Sequence, residues 1–333
     1  MSRGRGPHRL RRLERKALTA ASVAALSLTA SGCVVVHGER EVLPATTRAE
    51  AAKALTQFTA AYNKADKAYD SSLDADYVTG ALGAIDAARL KAGHTNSPGG
   101  NAAHTPLTLT DAKFTIPKKA GWPRWFLADA RGNKGGDARW LLVFTRDSLA
   151  ERWQVAFLTL VAPGDVPRFK QDKDGWAEAV PANSTRLAIA PSDLSRQYAT
   201  YLKNGGKTFA AGTHTTGWRK LRAKDASRPG LATQYIDEPL TNGAYAPLAL
   251  RTADGGALVF FTTHHYEKQT AAAGASVPTP DKDVQALTSG EVKQALTMEF
   301  VSNEVVLDPA RGSGVQRVSM PGRIQGLTAA QGG

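Results

Sequence analysis

WFLADARGNKGGDARWLLVFTR, residues 125–146, decides how this chain folds. Residues 125–130 and 139–146 are runs rich in Trp, Phe, Leu and Val, and Gly132-Asn133-Lys134-Gly135-Gly136 between them supplies turn residues. That pattern reads as two strands joined by a hairpin loop. Residues 152–161 add a third strand, and Leu107, Leu109, Phe114 and Ile116 alternate in front of the hairpin as shorter ones. Residues 168–180, interrupted by Gly175, and 186–190 are weaker strand segments.

Upstream the period is helical. Thr47-Arg48-Ala49-Glu50 has the form of a capping box, in which Thr47 bonds the Glu50 N–H while Glu50 reaches back. Ala49, Ala52, Leu55, Phe58, Tyr62 and Ala65 then fall on one stripe, predicting an amphipathic helix to about Tyr69. Asp70 to Gly80 breaks it, residues 81–91 form a second helix, and 94–106, rich in Asn, Ser, Pro and Gly, a flexible loop.

The same order recurs. Pro191-Ser192-Asp193 opens a helix carrying Leu194, Tyr198, Tyr201 and Leu202, ended by Asn204-Gly205-Gly206. Strands follow at 231–237, 246–252, 257–266 and 296–307, with Asp254-Gly255-Gly256 closing a hairpin and 271–283 a surface excursion. Helices first and antiparallel strands after them give an α+β fold rather than alternating βαβ units. The expectation is two tandem modules, residues 46–190 and 191–326, each an N-terminal helix packed on a curved antiparallel sheet, with 327–333 a flexible tail. This order of elements resembles the cystatin-like and NTF2-like superfamilies.

The N-terminus reads as an export signal. Arg3, Arg5, Arg9, Arg11, Arg12, Arg15 and Lys16 precede an uncharged apolar stretch at 17–30, too short to span a bilayer but of signal-peptide length. The chain's single cysteine, Cys33, follows Ala30, Ser31 and Gly32. These four residues resemble the lipobox of bacterial lipoproteins, with Ala30 standing where Leu is commonest. The resemblance implies cleavage by a signal peptidase that recognises Ala30, Ser31 and Gly32, a diacylglyceryl group on the Cys33 thiol, and a lipidated tether at 33–45. It thus implies a protein on the outer face of the cytoplasmic membrane. Arg11 and Arg12 raise the twin-arginine route; Leu13 suits that motif and Glu14 does not, so both export routes stay open. The leader and the Ala-, Thr- and Gly-rich body also resemble the uncharacterised lipoproteins of high-GC actinobacteria.

Removing residues 1–32 changes the charge reading. The whole chain is +12, but seven of its 42 basic and one of its 30 acidic residues lie there, leaving 35 against 29, or +6. That balance suits an envelope protein or an anionic cell-wall polymer as partner and argues against nucleic acid. With no further cysteine, folding of the body rests on packing.

The search for chemistry yields little. His264 and His265 are adjacent on a strand and point to opposite faces, so they read as strand-edge histidines rather than a metal pair. His94 and His104 share one loop without a carboxylate at ligand spacing. Asp70, Asp74 and Asp76 lack the glycine and closing Glu of a calcium loop and read as a solvated turn. Glu299 and Glu304 share the last strong strand and face opposite sides. Neither cofactor nor metal is expected. Trp122, Trp125, Trp140 and Trp153 gather in the first sheet, where inward rings either line a concave ligand pocket or fill the core, Trp122 beside Pro123 being the most exposed. The leading reading is a non-enzymatic binding or assembly module. The alternatives are a pocket enzyme on an NTF2-like scaffold, with a buried acid as base, and a solute-binding lipoprotein, which would need βαβ units.

Overall fold

The computed structural model describes residues 41–333. The readings for the export signal, for Cys33 and for the tether up to residue 40 lie outside the described residues. The helices are α1 (Arg48–Ala68), α2 (Gly80–Asn96), α3 (Pro191–Asn204), α4 (Trp218–Asp225) and α5 (Lys282–Leu287). The strands of the first half are β1 (Leu43–Pro44), β2 (Leu109–Thr115), β3 (Pro117–Lys119), β4 (Arg124–Gly132), β5 (Arg139–Arg146), β6 (Gln154–Val161) and β7 (Ala177–Glu178). Those of the second half are β8 (Ser227–Arg228), β9 (Leu231–Leu240), β10 (Leu248–Arg251), β11 (Ala257–Ala271), β12 (Thr288–Ser289), β13 (Ala295–Asp308) and β14 (Ser319–Gly332).

The fold is α+β with several sheets. β2-β4-β5-β6 make a four-stranded antiparallel sheet, β12-β14-β13-β11-β9-β8 a larger one with β10 added on β11, and β1-β3-β7 a small third sheet. Residues 139–144 on β5 are all buried because both faces of its sheet are covered. Phe126, Ala128, Leu142 and Phe144 pack under Ala51, Ala54, Leu55 and Phe58 of α1. The alternate residues Trp125, Leu127, Leu141 and Val143 meet Leu250, Leu258, Phe260 and Val305 of the larger sheet. That sheet's outer face, through Val259, Phe261 and Val306, takes Leu194, Tyr198 and Tyr201 of α3. The layers therefore run helix, sheet, sheet, helix. Sheets buried on both faces read as unbroken apolar runs, which is why residues 140–144 carry no polar alternation.

The α1 start follows its sequence in half. Thr47 is the N-cap and its Oγ1 accepts from Glu50 N at 3.1 Å, but the Glu50 side chain turns away to other partners. The loop after α2 is fastened to α1: Asn63 bonds both the N–H and the carbonyl of Leu107, at 2.7 and 2.8 Å, and Asn101 N donates to Lys67 O. It is not the free loop its composition suggests.

Two boundaries differ from the sequence reading. Residues 327–332 are not a tail; they complete β14, paired along β13 up to Leu296 and Gly332. Gly322 and Gly326 hide this strand from a propensity reading, yet contact requires them: a Cβ at Gly322 would sit 2.8 Å from Leu160 O of β6, and one at Gly326 2.4 Å from Ile85 of α2. Residues 168–180, counted with the first module, serve the second sheet as well: Phe169 bridges Thr252, Ala179 bridges Leu250, and Val180 N donates to Ala249 O.

Candidate functional site

The four tryptophans do not line one cavity. Trp125 lies between the two sheets, Trp140 in the core beneath α1 with its Nε1 donating to Lys134 O at 2.9 Å, and Trp153 against Phe126 in the same core. Trp122 is half-buried in the β3–β4 turn. It joins Trp153 through an arginine: the Arg146 guanidinium lies 5.8 Å from the Trp122 ring centre and 4.5 Å from that of Trp153, and Arg124 approaches Trp122 from 5.1 Å. Glu50 closes the cluster, taking bonds from Trp153 Nε1 (3.0 Å), Thr46 Oγ1 (2.7 Å) and Arg146 (3.1 Å). Burial opposes its charge, but these hydrogen bonds and Arg146 hold the carboxyl below its ordinary range. This cluster sits where the chain enters the body, for Arg124 also donates to Pro44 O.

A second region lies at the joint between the halves. Ser71, Asp74, Ala75, Val78, Thr79, Gly80, Gly83, Ala84, Ala87 and Tyr245 line a cleft of about 330 Å³. Gly80 has φ +54°, and a Cβ there would fall 2.5 Å from Ala244 O, so only glycine lets residues 243–245 close one side. Asp74, read from sequence as part of a solvated turn, is 1% exposed, and neither carboxyl oxygen receives a donor from the chain. Its neighbour is the Asp86 carboxyl, and burial together with that like group pushes Asp74 up to about 8. Two carboxyls meet stably when they share a proton. Behind them Arg89 spans Asp86 and Asp66, and His104 bonds Asp66 at 2.7 Å. Asp66, although penalised by burial, is held low by His104 and Arg89. His104 thus has a carboxylate partner, supplied by α1, while among the described residues no three His, Cys, Asp or Glu side chains could hold a metal ion together.

A third cluster lies between α4 and the larger sheet. Tyr235, Arg222, Trp218 and Arg323 stack alternately, ring and guanidinium, with separations of 4.8, 4.9 and 4.6 Å. Glu304 sits beside Arg323 at 3.6 Å, accepts from Thr263 Oγ1 at 2.5 Å and is wholly buried; desolvation outweighs the arginine and pushes it up to about 8. His264 and His265 occur on β11, which is paired on both sides, so neither is at an edge. They do face opposite ways. His265 is buried, stacked on Phe300 at 4.8 Å, and desolvation and nearby Arg222 and Arg323 push it down to about 2. His264 lies between Glu238 and Glu299 at 3.9 and 3.7 Å. The sequence carried no local sign of Asp74 or Glu304 as buried acids, because their partners come from distant elements.

The chain belongs to the family of the domain of unknown function DUF8094, whose model matches residues 42–332. It is similar to an uncharacterised lipoprotein of Streptomyces coelicolor, with 73% identity over 332 residues and all of both chains covered. An uncharacterised lipoprotein of Streptomyces avermitilis is 62% identical over the same full length. A second uncharacterised lipoprotein of Streptomyces coelicolor is 30% identical over 230 residues, 67% of this chain and 63% of that one. No solved structure matches. Among the described residues no helix is long and apolar enough to cross a membrane.

Proposed function

We propose that this protein is a lipoprotein anchored through Cys33 on the outer face of the cytoplasmic membrane, and that its body is a non-enzymatic binding module. The lipobox-like residues 30–33 and the lipoprotein relatives support the anchor. The body is read as a duplication of a cystatin-like or NTF2-like unit, on the support of α1 across the four-stranded sheet and α3 across the larger one.

The observation that carries the binding role is the cleft of about 330 Å³ at the joint of the halves. Ala84 and Ala87 present only methyl groups on one side, and a protonated Asp74 leaves that wall uncharged, which suits a neutral ligand. Native mass spectrometry of the full chain extracted from its own membranes tests this. A small non-covalent adduct on the wild type that Ala84→Trp abolishes is the expected result. An adduct retained by Ala84→Trp, or none on the wild type, overturns the assignment.

The enzyme reading would draw on the same Asp74, an acid that burial and the Asp86 carboxyl raise to about 8 beside the cleft, but whose two oxygens are covered from it. Asp74→Asn separates the two: a binding cleft keeps the adduct unchanged in mass, whereas an enzyme lets unturned substrate accumulate on the variant.

A further inference from the structure

The end of the body from which the chain leaves toward Cys33 differs from the rest of the surface. Seven large apolar side chains stand exposed among the described residues, and three of them, Val42 (60%), Leu43 (36%) and Leu149 (77%), belong to this end. The pairings bring them together. Leu43 pairs with Lys119 at the start of the turn that carries Trp122, Arg124 at the end of that turn pairs with Arg146, and Leu149 caps the loop that follows Arg146. Arg124 is tied to Pro44 O, and Lys119 Nζ donates to Pro123 O at 2.6 Å. The apolar tips are therefore displayed from a braced platform rather than from loose ends.

Their position relative to the anchor point selects the partner. From Cys33 to Glu41 there are eight residue steps, which span at most about 28 Å fully extended. A body of this size is roughly 50 Å across. The tether is thus too short to let the opposite end reach the bilayer, while this end is always within reach. Exposed Val and Leu side chains and the half-buried Trp122, beside Arg and Lys, match the composition of a membrane interface, where tryptophan and long cations reside at headgroup level. Local charge does not choose the partner: Lys118 is already paired to Asp172 and Asp174, and Arg152 faces Asp76.

We propose that Val42, Leu43, Trp122 and Leu149 seat this end of the body in the headgroup region of the phospholipid bilayer, so that the protein stands on the membrane in a fixed orientation. The inference rests on the anchoring through Cys33 proposed above. Fixed this way, the cleft lined by Asp74 and Tyr245 keeps one orientation relative to the surface.

Full-length lipidated protein is reconstituted in phosphatidylcholine vesicles with brominated or ordinary acyl chains, and tryptophan emission and flotation are both recorded. The expected results are that the protein floats with the vesicles, that brominated lipid lowers its emission, that Trp122→Phe loses that decrease, and that Leu149→Ser, a change at an exposed position, at least halves it. Protein that floats but shows no quenching, or quenching unchanged in Trp122→Phe and Leu149→Ser, overturns the seating while leaving the anchor intact. Protein that does not float overturns the anchor and the seating with it.

Discussion

Arg222 and Asp237 close on each other through two hydrogen bonds, Nη1 to Oδ2 at 2.7 Å and Nη2 to Oδ1 at 2.9 Å, and both side chains are buried between α4 and β9. The same guanidinium is held between the rings of Trp218 and Tyr235. Removing one partner strands the other charge in the interior, so Asp237→Asn or Arg222→Ala costs about 3–5 kcal/mol. The paired replacement Arg222→Met with Asp237→Leu costs far less, because the desolvation penalty leaves with the pair. Urea unfolding of the two single variants and the double variant measures the difference.

Buried titrating groups set the pH dependence of stability. Glu304 is raised from 4.5 to about 8 by desolvation, so between these values the folded chain holds a proton that the unfolded chain has released. Stability therefore falls as pH rises through that window. Asp74 and Asp308, raised to about 8 and about 7, act in the same direction. His265, lowered from 6.5 to about 2, acts oppositely: the unfolded chain takes up a proton below 6.5 that the folded chain refuses, and stability falls as pH falls. Chemical denaturation across pH 5 to 9 is expected to show Glu304→Gln flattening the alkaline decline without removing it. An unchanged slope in that variant contradicts a buried, protonated Glu304.

The contact of β14 with β6 depends on one missing methyl group. A Cβ at Gly322 meets Leu160 O at 2.8 Å and Val161 Cγ1 at 2.9 Å, and backbone on the facing strand cannot swing aside as a flexible side chain would. Gly322→Ala is expected to destabilise by about 1–3 kcal/mol through overpacking. Gly164→Ala, where nothing lies within 4 Å, is the matched control and changes stability little. Thermal unfolding of the two variants decides whether the sheets are as closely joined as this distance states.

Elements whose signal is local were legible in the sequence. Thr47 announces α1, the 139–146 run announces β5, and Pro191 announces α3, and each forms within a few residues of its expected limits. What escaped depends on partners far along the chain. β14 contains Pro321, Gly322 and Gly326 and shows no strand propensity, yet β13 templates it and those small residues are what its neighbours require. Asp74 reads as a turn residue until α2 places Asp86 against it. Glu50 reads as the second half of a capping box, but Trp153 and Arg146, about a hundred residues away, claim its carboxylate. Alternation could place Trp125 and Trp140 on opposite faces, whereas only the second sheet explains why both faces are buried.

Glu50 and Cys33 separate the stability of the body from its attachment. Glu50 joins the first turn of α1 to Thr46, Trp153 and Arg146, so Glu50→Ala removes several hydrogen bonds at once and leaves the partly buried Arg146 without its carboxylate. Its own 39% exposure keeps the cost at about 1–2 kcal/mol, since water compensates part of what is lost. The lipid proposed on Cys33, by contrast, would join the chain upstream of Thr46 and Glu50, and none of these contacts involves Cys33. Cys33→Ser is accordingly expected to lose incorporation of radiolabelled lipid and to leave the membrane fraction with an unchanged Tm. Glu50→Ala is expected to lower Tm by a few degrees while labelling and fractionation stay as in the wild type. Labelling that persists in Cys33→Ser refutes the attachment site, and a Tm unmoved by Glu50→Ala refutes the role given to Glu50 in bracing the tethered end.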